Sequence, residues 1–215
     1  MASKKDRKNK VSYLSLIIGI ILLTAGIIIP AVTYFPVAKA EVTYRAKLES
    51  QIPPAPPEPV DREFSIVIPK IGANTKVVKN VDPNNSKEYQ LALTKGVAHA
   101  STSSLPGQPG NTFIFAHSAG NWYQANQYNA VFYLLNKLVK GDEIIIYYQS
   151  KDYHYAVSEN KLVDGSDVSF LKSNSAAGQQ LTLMTCWPPG TTLKRQIVIA
   201  KIILPSPASG QLPTF

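Results

Sequence analysis

One cysteine occurs in this 215-residue chain, and its neighbours are of the kind that present a thiol at a loop edge. Cys186 ends the alternating, β-type run Leu181-Thr182-Leu183-Met184-Thr185 and precedes the turn-forming group Trp187-Pro188-Pro189-Gly190. Arg195 then opens a second apolar run, Gln196-Ile197-Val198-Ile199-Ala200. If the two runs are neighbouring antiparallel strands, the thiol and the guanidinium lie at one end of a sheet. Far upstream, His117 closes a third strand-like run, Thr112-Phe113-Ile114-Phe115-Ala116.

A thiol, an imidazole and a guanidinium at strand ends supply the parts of nucleophilic catalysis. A thiolate attacks a carbonyl and holds the acyl group, splitting one difficult exchange into two steps. A histidine gives a proton to the departing amine and takes one from the incoming amine. Arginine carries a permanent charge on a planar fork of donors, suited to an oxyanion or to a substrate backbone. Each residue also has a plainer reading. A lone cysteine is often a small buried hydrophobe, His117 could be a satisfied strand-end side chain, and Arg195 could serve a surface ion pair. The strand-end positions and the scarcity of arginine beyond Arg7 (Arg45, Arg62 and Arg195) weigh towards chemistry. The other histidines, His99 in a Gly/Pro/Ser-rich region and His154 in a Tyr-flanked strand, read as structural.

The elements that must position these groups follow from the chain in order. A basic head, residues 1–10, holds Lys4, Lys5, Arg7, Lys8 and Lys10 against Asp6, half of the net charge of +8. The remainder is therefore mildly basic, without a dense Lys/Arg run or an interleaved aromatic platform, and nucleic-acid binding is not expected. Residues 11–35 carry no charge and read as a membrane-spanning helix, since about 20 apolar residues suffice. The positive head places the N-terminus in the cytoplasm and everything after the span outside. Ala38-Lys39-Ala40 resembles a signal-peptidase site, but the apolar run exceeds the ~7–15 residues of a signal-peptide core, which favours an uncleaved anchor. Residues 36–61 form a stalk whose five prolines between Pro53 and Pro59 enforce an extended, semi-rigid spacer.

Residues 62–205 then read as a mainly β domain, and residues 206–215 as a tail. Phe64 to Ile68 is a first strand, and Glu143 to Tyr148 with Tyr153 to Val157 a hairpin around residues 149–152. Tyr128 to Lys140 has one apolar helical face, Val131, Phe132, Leu135, Leu138 and Val139, closed by Gly141. Residues 164–180 form a long polar loop. A hydrophobic share of 45% with 17% charged residues fits a globular domain with its own core. A closed or partly open β-barrel with one or two short helices is the expected architecture. The single cysteine excludes a disulfide framework and a multi-cysteine metal site.

Thr182-Leu183-Met184-Thr185-Cys186, the downstream Arg195, and Gly110-Asn111-Thr112-Phe113-Ile114-Phe115-Ala116-His117 resemble the sortase family, over about Phe64 to Leu204. Sortases are cysteine transpeptidases on the outer face of bacterial membranes. The resemblance implies a sortase-like barrel, Cys186 as nucleophile, His117 as acid and base, and Arg195 as oxyanion or substrate anchor. Thr185, Leu183, Trp187 and Ser118 are expected to support or line the substrate site, with Trp122 to Tyr128 as a wall. The implied substrate is an exported protein with a C-terminal Leu-Pro-x-Thr-Gly-like sorting motif. The implied acceptor is an amine of a peptidoglycan precursor or a pilin lysine. Ala116 stands where the family often has Gly, and Ser118 where many members have Arg, so no subclass is assigned. The absence of a second apolar segment after Leu204 points to an anchoring enzyme rather than a pilin polymerase. Some sortases use calcium in an acidic loop, but Asp164 and Asp167 are too sparse for that, and no metal or other cofactor is expected. An L,D-transpeptidase would need His and Cys close in sequence, and a papain-like peptidase the reverse order. The non-enzymatic alternative is a membrane-tethered β-domain that binds a wall polymer or a protein.

Overall fold

The computed structural model describes residues 4–49, 56–118, 131–167, 170 and 178–203. Eight strands close into a barrel: β1 (Phe64–Ile68), β2 (Ala73–Val81), β3 (Val97–Ala100), β4 (Gly110–Phe115), β5 (Glu143–Tyr148), β6 (Lys151–Asp164), β7 (Gln179–Trp187) and β8 (Lys194–Ile202). Their order around the barrel is β1-β2-β3-β4-β7-β8-β6-β5, with β5 pairing back to β1. Closure leaves no open sheet edge. The interior is filled by the wholly buried Ile66, Ile114, Ile144, Ile146, Leu181, Leu183 and Val198. Tyr155 is also buried there, and loss of solvent raises its phenol to about 12.

Two features of this topology govern the site. First, β4 and β7 are parallel neighbours, with Thr112 opposite Leu181 and Phe115 opposite Met184. Parallel pairing sets the C-terminal ends of both strands side by side, although some 70 residues separate them in the chain. Second, β8 runs antiparallel to β7 with Cys186 opposite Arg195. The expected pairing of the Cys186 and Arg195 runs is thus the observed one.

The hairpin between β5 and β6 is tighter than the expected residues 149–152. Gln149 and Ser150 alone make the turn, with φ of 50° and 63°. That pair of left-handed residues matches the twist of the flanking strands. Beyond it, β6 continues to Asp164 against β8, with Ser158 as the extra residue of a bulge.

The helix expected from Tyr128 to Lys140 is corrected by the structure. Residues 128–130 lie outside the described residues, and the rest forms a 3-10 helix, Tyr133–Lys137. Phe132, Leu134, Leu135 and Leu138 are buried as the apolar pattern requires, but Val139 is exposed. The chain leaves the helix at Leu138, which is extended. The carbonyls of Leu135 and Leu138 accept instead from Asn160 Nδ2, at 2.9 and 2.7 Å, and Asp142 accepts the Val139 amide. Partners outside the helix satisfy groups that a further turn would have paired.

Helix α1 (Lys4–Glu49) contains one segment, Tyr13–Val32, long and apolar enough to cross a membrane, with mean hydropathy 2.6. The helix continues beyond it to the barrel. There Tyr44 is buried, Lys137 Nζ lies 3.6 Å from Glu41 and 5.8 Å above the Tyr44 ring, and Arg45 pairs with Glu41. A second helix, α2 (Ser86–Leu93), precedes β3.

Candidate active site

His117 lies two residues beyond the end of β4. The Ala116 amide donates to the Met184 carbonyl at 3.1 Å, which carries the parallel ladder past Phe115. Extending that register two residues past Phe115 and Met184 sets His117 level with Cys186. Alternation along the strands then places the side chains. Leu181 and Leu183 pair with Ala200 and Val198 in the core, so Cys186 and Arg195 belong to the opposite, outer face of the barrel. His117 shares that face, two positions on from Phe115, which pairs with Met184.

The buried Thr185 hydroxyl fastens the two strand ends together, donating to the Ala116 carbonyl at 3.0 Å. The residue before Cys186 is thereby tied to the residue before His117. Leu183 is wholly buried on the core face, Ser118 is buried, and Trp187 is half-buried beside the thiol in sequence. The structure thus brings Cys186, His117, Arg195 and Thr185 to one end of three adjacent strands, with Leu183 beneath them in the core. Trp122 to Tyr128 lies outside the described residues.

Burial governs the electrostatics. The free Cys186 thiol is half-buried, and loss of solvent raises its pKa, with the nearby Arg195 charge opposing that rise. His117 is also half-buried, and the same desolvation lowers its pKa. Both directions favour the neutral forms of the two groups. Arg195 Nη1 donates to the carbonyls of Thr192 (3.0 Å) and Lys194 (3.3 Å). Among the described residues no carboxylate pairs with it, so its charge is not neutralised locally.

The remaining histidines occupy other environments. His99, wholly buried on β3, pairs with Ile114 and so shares the core face rather than that of His117. Its Nδ1 accepts from the Asn80 amide at 3.3 Å, and Nε2 lies 3.1 Å from the Ser104 carbonyl. Burial lowers its pKa, and both nitrogens are engaged. His154 stands on the hairpin between Glu143 (2.7 Å) and Asp152 (2.9 Å). Both match the structural reading. Among the described residues, no group of three or more His, Cys, Asp and Glu gathers closely enough to hold a metal ion.

Sequence reasoning missed one residue at the site. Gln90, on α2, places Oε1 3.2 Å from His117 Nε2. The available signal was Asn85-Ser86-Lys87-Glu88, an N-cap pattern in which the Asn85 side chain accepts the Glu88 amide at 3.2 Å.

Comparison with known proteins places this geometry. The family model described as Sortase domain matches residues 66–203. Sortase D of Bacillus subtilis is 27% identical over 148 residues, covering 67% of this chain and 66% of the relative. Sortase A of Listeria monocytogenes is 26% identical over 138 residues, covering 64% of this chain and 55% of the relative. The chain therefore spans just under two thirds of the first and about half of the second. Among solved structures, a lid mutant of sortase A from Corynebacterium diphtheriae superimposes with a TM-score of 0.56 at 26% identity, covering 69% of this chain and 74% of that one.

Proposed function

This chain belongs to the sortase family, whose members are cysteine transpeptidases, and from that premise we propose that Cys186, His117 and Arg195 are its catalytic residues. The proposed activity is cleavage of a Leu-Pro-x-Thr-Gly-like sorting motif on an exported protein and transfer of the new acyl end to an amine. The acceptor is an amine of a peptidoglycan precursor or a pilin lysine. The apolar segment of α1 would hold the enzyme in a bacterial membrane, with residues 1–10 cytoplasmic, residues 36–61 as spacer and the catalytic domain of residues 62–205 outside.

The observation that carries this reading is the register at the barrel end, where Cys186 pairs with Arg195 and the β4–β7 ladder leads His117 to the same level. In the first step the Cys186 thiolate attacks the threonine carbonyl carbon. Arg195, uncommitted to any carboxylate among the described residues, stabilises the oxyanion or anchors the substrate backbone. The C–N bond then breaks, its electron pair stays on nitrogen, and the His117 imidazolium supplies the proton that makes the glycine amine a leaving group. In the second step the acceptor amine attacks the thioester and gives a proton to His117. The thiolate departs from carbon, and the free enzyme is regenerated.

The test uses the full chain in detergent micelles with quenched pentapeptides of the Leu-Pro-x-Thr-Gly type, with and without an added amine. Cleavage that stops in Cys186→Ala, and that the amine diverts into a ligated product, supports transpeptidation and reads out the motif. If no peptide acylates Cys186, the catalytic reading fails and the tethered binding domain takes its place.

A further inference from the structure

The histidine at this site has a neighbour that no catalytic role yet uses. Gln90 stands on a rigidly held element. Asn85 and Glu88 cap the first turn of α2, Tyr89 packs edge-on against Phe115 with ring centroids 6.3 Å apart, and Ala92 and Leu93 are buried in the core. Packing of positions 89, 92 and 93 against the core fixes the rotation of the helix. Gln90 comes to lie on the flank facing the end of β4, where Oε1 meets His117 Nε2 at 3.2 Å.

We propose that Gln90 is a positioning residue: its amide oxygen accepts the Nε2 proton of His117, fixing one tautomer and leaving Nδ1 as the nitrogen that exchanges protons at Cys186. A neutral imidazole carries one N–H, so engaging Nε2 as donor makes Nδ1 the basic atom. The bond also restrains ring rotation, as the third member of a nucleophile–base–orienter arrangement does. An amide is suited to this place because it orients without adding charge. A carboxylate there would raise the pKa of the ring, whereas burial acting alone lowers it. Among the described residues, the other titratable or charged groups on the surrounding elements are Lys87, Glu88 and Tyr89 of α2, Lys76 and Lys79 of β2, His99 of β3, Cys186 of β7, and Lys194 and Arg195 of β8. Glu88 is engaged at the helix cap, accepting from the Asp82 amide.

The catalytic consequence rests on the transpeptidase reading, but the hydrogen bond can be tested without it. Full-length chain with 15N- and 13C-labelled histidine is titrated by NMR in micelles, with His99 and His154 as internal controls for folding. The wild type should show His117 as the Nε2–H tautomer. Gln90→Glu should move the His117 titration to higher pH by about one pH unit while leaving His99 in place. Gln90→Leu should let the tautomers mix. In the peptide assay Gln90→Leu should lower kcat about tenfold with little change in KM, the worth of one such bond. Gln90→Glu should recover rate, with the limb of the pH profile that reports His117 shifted upward. An Nδ1–H tautomer in the wild type, or an unmoved His117 in Gln90→Glu, overturns the assignment even if peptide cleavage is normal. A wild type that cleaves nothing but shows the tautomer and the shift overturns the transpeptidase reading and leaves the assignment standing.

Discussion

Thr185 offers a direct way to loosen the site without touching a reacting group. Replacing it by Val keeps the shape and removes the hydroxyl that donates to the Ala116 carbonyl across the β4–β7 junction. Thr185 is 1% exposed and Ala116 6%, so water cannot easily replace the lost donor. The net worth of the bond is about 1 kcal/mol, and a buried carbonyl left without it costs about 1–3 kcal/mol. A destabilisation of about 2 kcal/mol follows, which for a domain of this size lowers Tm by about 6 °C. The effect on activity should exceed the effect on folding at assay temperature. The bond ties the residue before Cys186 to the residue before His117, and small misplacements of reacting groups are costly, so cleavage should fall at least about tenfold. The assay pairs near-UV circular dichroism melts of the full chain in micelles with pentapeptide cleavage. Thr185→Ser, which keeps the hydroxyl and loses one buried methyl, serves as the comparison and should keep most activity. If Thr185→Val melts with the wild type and cleaves at its rate, the two strand ends are held by something else.

Three further outcomes are expected. Because Arg195 opposes the burial-driven rise of the Cys186 pKa, Arg195→Gln should move iodoacetamide alkylation of the thiol to still higher pH; an unshifted alkylation profile would remove Arg195 from the electrostatics of the thiol. At His154, burial lowers the pKa, but hydrogen bonds and charge from Glu143 and Asp152 outweigh it, and the net shift is upward. Its contribution to stability is therefore complete below about pH 6.5, the unfolded value, and is lost as pH rises through the folded value. The difference in urea midpoint between wild type and His154→Gln should shrink from pH 6 to pH 9, and a constant difference would contradict this. At the hairpin, Ser150→Gly relieves a left-handed side-chain residue and should raise stability by about 0.5–1 kcal/mol in urea unfolding, whereas a loss would show that the turn is unstrained.

The parts of this molecule legible in its sequence are those with strong local patterns. Phe64 to Ile68, Thr112 to Phe115 and Gln196 to Ala200 are apolar or alternating runs bounded by turn residues, and each is a strand. Cys186 and Arg195 could be paired in advance because one short loop joins their strands. That His117 belongs beside them was not readable from spacing. It depends on a parallel pairing of β4 with β7, and the long crossover between them carries no register signal. The stretch around Val131 to Val139 misled because a 3-10 helix buries residues three apart much as an α-helix does. Partners outside it, the distant Asn160 and the local Asp142, determined where it ends. Helix α2 escaped because Ser86–Leu93 is short and its apolar face narrow, so its cap was the sole clue, and Gln90 was missed with it.

The contact of α1 with the barrel has a consequence for where such an enzyme can work. From Val32, the end of the apolar segment, to the buried Tyr44 is about 18 Å of continuous helix. Under the proposed anchoring, that rod acts as a ruler, holding the barrel at a set height above the lipid instead of letting it swing on a loose leash. Search for a sorting motif then becomes two-dimensional, confined to a thin shell next to the bilayer. A polypeptide still emerging from the membrane presents its C-terminal region within that shell, at high local concentration. One that has already diffused away does not. Selection among exported chains would then depend on timing as well as on motif.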